Sequence, residues 1–130
     1  MKKSQQIYCI ILGVIFWFVA AMTVRFLGKS VFTENNPLLI LMFILAIPIT
    51  FIFLFITQKV LKISRLEIMR PIVIITLTAA FLDGIALTWF RTLYSDSFEV
   101  SSHGAALILW GVGLGLFLAY FQTKKVKDLE

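Results

Sequence analysis

Cysteine is nearly absent: Cys9 stands alone among 130 residues. No intrachain disulfide is possible, which excludes a disulfide-stapled secreted fold. Histidine is as sparse, with only His103, and no His, Cys or carboxylate cluster has the spacing of metal ligands. Charged residues make up 15%, where about a quarter is usual for a soluble domain. No Ser-His-Asp arrangement, P-loop or dinucleotide fingerprint occurs. These absences exclude a soluble enzyme, and neither a cofactor nor a bound metal is expected.

What fills the chain is apolar. Hydrophobic residues account for 60% and phenylalanine alone for 13 positions, and the mean hydropathy is +0.96. A soluble domain of this length cannot bury so much apolar surface, because small domains hide the smallest fraction of their chain. The composition leaves an integral membrane protein with little outside the bilayer.

Four continuous apolar runs stand out, at 7–27, 37–57, 72–90 and 104–121. Each is near the ~20 residues that a helix needs to cross about 30 Å of hydrocarbon. A membrane β-barrel would alternate apolar and polar residues, and these runs do not. Helices satisfy their own backbone hydrogen bonds in lipid. The predicted fold class is therefore all-α, one integral membrane bundle of four transmembrane helices over residues 1–130. An N-terminal signal peptide is the alternative for the first run, since Lys2 and Lys3 precede it and Val19-Ala20-Ala21 offers a small-residue cleavage site. The run continues through Met22, Val24, Phe26 and Leu27, which favours an uncleaved span.

Basic residues set the orientation. Lys2, Lys3, Lys59, Lys62, Arg65, Arg70, Lys124, Lys125 and Lys127 fall on the side of both termini, nine in all, against Arg25, Lys29 and Arg91 on the other. The positive-inside rule then places both termini in the cytoplasm of a cell's inner (plasma) membrane. So strong a bias argues against two-way insertion, and any homo-oligomer is expected to be parallel. The net charge of +5 fits anionic lipid headgroups meeting these residues, with no nucleic-acid partner.

Several smaller features carry expectations. Pro37 and Pro71 open the second and third spans, and Pro48 should kink the second. Thr33-Glu34-Asn35-Asn36 reads as a turn, and Ser101 and Ser102 as caps of the fourth helix. Cys9 reads as a packing residue, His103 as a solvated loop residue and Trp110 as core or pocket wall. Tyr8, Trp89 and Tyr94 lie near span ends as interfacial anchors.

Asp83 is the most informative residue. A carboxylate in mid-span costs about 2.5–3.5 kcal/mol on insertion scales, so its default reading is functional. Thr76, Ala79, Ala80, Ala86 and Leu87 share its helix face, and a face of small residues points toward other helices. Arg25, at the end of the first span, is the expected partner, either in an ion pair with Asp83 or snorkelling outward to water. Gly111, Gly115 and Ala119 recur every four residues, a ridge suited to close helix packing within the bundle or across a dimer.

Trp17 with Ala20-Ala21, Arg25 and Gly28, then Leu82-Asp83, then Leu109-Trp110-Gly111 make the chain resemble a family of small bacterial four-span membrane proteins known as a domain of unknown function. The resemblance covers nearly the whole chain. It implies the four-helix architecture and draws attention to Arg25 and Asp83, without supplying an activity. Members often follow the third span with an aromatic-proline step, whereas Phe90 here precedes Arg91. The size also invites comparison with small multidrug-resistance transporters. Those carry their working carboxylate in the first helix, where this chain has none, so that function is not carried over.

Two functions remain open. One is a non-enzymatic scaffold or accessory subunit, working with the lipid bilayer and a membrane-protein partner or a second copy. The other is a small transporter or channel subunit using Asp83. A water-accessible Asp83 separates them, since a scaffold has no reason to wet that position.

Overall fold

The computed structural model describes the backbone of residues 2–129 and the side chains as far as Lys124. Four helices account for most of it: α1 (Lys3–Leu27), α2 (Pro37–Leu61), α3 (Met69–Trp89) and α4 (Phe98–Leu129). Short 3-10 turns at Gly28–Ser30, Arg65–Glu67 and Arg91–Leu93 lie between them. All four helices are long and apolar enough to cross a membrane, and the outward side chains are what lipid would meet. Phe81, Leu109 and Ile40 are each more than 60% exposed, an arrangement that water would penalise and hydrocarbon does not. The chain is a four-helix integral membrane bundle.

The helices overrun the apolar runs because polar residues stop hydropathy without stopping a helix. α1 starts at Lys3, and α4 begins at Phe98. Ser101 and Ser102 are therefore inside α4 rather than capping it, and the Ser97 hydroxyl accepts from the Val100 N–H at 3.4 Å instead. His103 likewise lies half-buried on α4, not in a loop. α2 opens at Pro37, where the Asn36 side chain accepts from Leu38 N–H at 2.9 Å, and it stays helical through Pro48. Pro71 sits within the first turn of α3, where its missing N–H leaves no ladder bond unmade. Gly28 ends α1 with φ +47°, a backbone state that side chains disfavour.

The interior has two packed ends. At the end carrying the termini, Cys9, Leu12, Leu54, Leu61, Ile68 and Ile72 form one core. Polar clasps close that end: Gln5 Nε2 donates to the Leu61 carbonyl, and Gln58 Nε2 to Gln122 Oε1. At the loop end, Ala21, Val24, Phe32, Ala86, Tyr94 and Val100 form the second core. There Glu34 N–H donates to Glu99 Oε1 at 2.8 Å.

α3 packs chiefly against α1 and α4, and α2 chiefly against α4. A close approach joins α1 to α3 at Gly13. A Cβ there would lie 2.7 Å from Thr78 Cβ and 2.9 Å from the Ile75 carbonyl oxygen. Only glycine lets the two backbones come so near.

Candidate functional site: a carboxylate on the wall of a cavity

Between the two cores the helices leave a half-open cavity. A cavity of about 350 Å³ is bounded by all four helices, at the low end of the ~300–1,000 Å³ typical of small-molecule sites. Phe16, Trp17 and Thr23 line it from α1, and Met42, Thr50 and Phe53 from α2. Ile75, Thr76, Ala79 and Asp83 come from α3, and Leu107, Gly111 and Gly115 from α4. Among the described residues Asp83 is the one ionisable residue on this wall.

Asp83 is 6% exposed, and its partner comes from beyond its own helix. α3 breaks at Phe90 (φ −130°) and the Arg91–Leu93 turn swings the chain back. That turn drops Tyr94 into the loop-end core, where it is fully buried. The Tyr94 hydroxyl donates to Asp83 Oδ1 at 2.5 Å, and Trp17 Nε1 donates to the same hydroxyl oxygen at 3.0 Å. Burial, and the Asp83 acceptor beside it, push the Tyr94 phenol well above its ordinary pKa, so it stays a protonated donor. A relay Trp17–Tyr94–Asp83 thus ties α1, the loop after α3 and α3 itself. Each buried polar group in it has the partner that burial demands.

This arrangement replaces the expected pairing of Arg25 with Asp83. Arg25 Nη1 donates instead to the Thr92 carbonyl at 2.7 Å, with Leu93 O at 3.5 Å. The turn after α3 exposes carbonyls that lack helical partners, and a guanidinium at the end of α1 meets them first. Asp83 lies deeper and already accepts from Tyr94. Tyr94 is consequently no interfacial anchor, whereas Trp89 and Tyr8 lie on the surface, 72% and 51% exposed.

The glycine ridge of α4 also behaves differently from expectation at its loop-end member. A Cβ at Gly111 would meet nothing within 4 Å, and one at Gly115 would meet only Thr76 Cγ2 at 3.7 Å. Ala119, one turn further, is fully buried in the core near the termini. The ridge opens the cavity at Gly111 and closes on its neighbours at Ala119. Trp110 sits beside it, 42% exposed, donating Nε1 to the Phe43 carbonyl of α2 at 2.9 Å. Gly84, adjacent to Asp83, is exposed on the outer surface.

Sequence reasoning located Asp83 but missed Tyr94 as its partner. Eleven residues and a helix break separate the two, and no spacing rule spans a break. Trp17 is 77 residues from Tyr94, with no local signal to connect them.

The chain belongs to a family described as a family of unknown function, DUF5367, whose model matches residues 31–126. The match takes in α2, α3 and nearly all of α4, and with them Asp83, Tyr94 and three walls of the cavity; Trp17 and α1 lie outside it. No curated protein and no solved structure matches the chain.

Proposed function

We propose that this protein is a non-enzymatic, ligand-binding membrane protein, a small transporter or channel subunit that holds an apolar molecule between its helices with Asp83 as the polar anchor. One observation carries the reading: a lone carboxylate on the wall of a cavity that all four helices share. A scaffold works best with a filled interior, because a void forfeits dispersion contacts on every lining atom. Here the sequence places glycine at position 111, where an added Cβ would meet nothing within 4 Å, on the wall of the cavity. Asp83 would also be an expensive residue for a scaffold to keep in mid-span. The excess of Lys and Arg beside the termini supports a cytoplasmic location for both, and a parallel arrangement of any second copy.

Thiol labelling tests this reading. Ala79→Cys, on the cavity wall, is expected to react with N-ethylmaleimide, while native Cys9, fully buried in the core, does not. A Cys at position 79 as inert as Cys9 would point to a sealed interior and return the protein to the scaffold class.

A further inference from the structure

Resting on the cavity reading above, we infer that the cavity's ligand is a lipophilic amine, received as its ammonium cation by Asp83. The hydrogen-bonding capacity of the wall selects this ligand. Every lining donor already has an acceptor. Trp17 Nε1 donates to Tyr94, and the hydroxyls of Thr23, Thr50 and Thr76 donate to the carbonyls of Val19, Ala46 and Ile72 at 2.6–2.8 Å. Tyr94 itself donates to Asp83 Oδ1.

The capacity left over is acceptor capacity. Asp83 Oδ2 makes no hydrogen bond among the described residues, and it is not sealed away, since Arg91 Nη1 is the single fully buried side-chain nitrogen or oxygen among them without a partner. A ligand that needs donors from the wall, such as a carboxylate or phosphate, would find none. A ligand that brings its own N–H finds a carboxylate oxygen.

Charge and surface agree with this polarity. Among the described residues no basic side chain lines the cavity, so none of them competes there with an incoming cation for Asp83. Arg25 is turned to the Thr92 carbonyl. The aromatic rings of Phe16, Phe53 and Trp17 stand on the same wall, and such rings attract a desolvated ammonium group. The rest of the lining accepts an alkyl or aryl body. The relay supplies positioning: Tyr94 holds Oδ1, which fixes the carboxyl rotamer and leaves Oδ2 for the ligand.

The test uses the full chain in lipid nanodiscs and three probes of similar size: 2-phenylethylammonium, 2-phenylethanol and 3-phenylpropanoate. Equilibrium dialysis reads saturable binding, with Gly111→Leu as the filled-cavity reference for partition into lipid. The ammonium probe is expected to bind the wild-type protein about tenfold more tightly than the alcohol, a ratio equal to roughly 1.4 kcal/mol, because both donate to the carboxylate but only the ammonium also brings an opposite charge. The carboxylate is expected to show no saturable binding. Asp83→Asn keeps an acceptor for Tyr94 but removes the charge, and should abolish the preference for ammonium over alcohol. Equal binding of amine and alcohol, or tighter binding of the carboxylate, would overturn the inference and leave the cavity reading standing. Absence of saturable binding by all three would overturn both. The wild-type comparison decides the matter even if Asp83→Asn does not fold.

Discussion

The α1–α3 seam and the α4 ridge carry the same kind of residue and do opposite things. At Gly13 the missing side chain is filled by the neighbour, with Thr78 Cβ and the Ile75 carbonyl where a Cβ would stand. At Gly111 the missing side chain is filled by nothing, and the space becomes part of the cavity. Small residues in a membrane helix permit close approach, but whether the neighbour takes up the space depends on what else holds the helices apart. The large rings of Phe16, Phe53 and Trp17 line the same cavity as Gly111. Phe16 and Phe53 stack on each other at 4.4 Å across α1 and α2, bracing one side of the cavity.

Substitutions can break that contrast. Gly13→Ala should have the largest effect, destabilising the bundle by about 1–3 kcal/mol in denaturant titration, because backbone and a β-branched side chain leave no cheap way to relax. That loss is net of the roughly 1 kcal/mol by which alanine favours a helix over glycine. Tyr94→Phe should follow at about 1–2 kcal/mol, since it leaves Asp83 and the Trp17 N–H without the group that satisfied both. Gly111→Ala should have the smallest effect and the opposite sign, between neutral and about 1 kcal/mol stabilising, because the new methyl enters open space while helix propensity improves. If Gly111→Ala destabilised as much as Gly13→Ala, the two regions would not differ and the half-open cavity would be lost.

Much of the fold was legible in the sequence because lipid imposes a simple code. Continuous apolar runs mark spans, and Pro37 with Asn36 marks a start. Helix ends were less legible, since Ser97 rather than Ser101 or Ser102 caps α4. The site was half legible. Asp83 announced itself by charge alone, whereas its partner depended on a turn that folds Tyr94 back under α3. Arg25 attracted notice for the same reason as Asp83, yet backbone carbonyls claimed it. Charge identifies which residues need partners in a membrane. Which partner each finds is decided by loop geometry and by which helices lie side by side, and periodicity contains neither.

The central claim, that Tyr94 and not Arg25 holds the carboxyl group on the cavity wall, is tested most directly by a pair of double-mutant cycles on unfolding free energy. One cycle combines Asp83→Ala with Tyr94→Phe, the other Asp83→Ala with Arg25→Gln. In the first, the double variant is expected to lose less than the sum of the singles, with a coupling of about 0.5–3 kcal/mol, because each single change strands a buried partner and the double strands neither. In the second, the effects are expected to add to within about 0.5 kcal/mol. Coupling between Asp83 and Arg25 larger than that between Asp83 and Tyr94 would contradict the account.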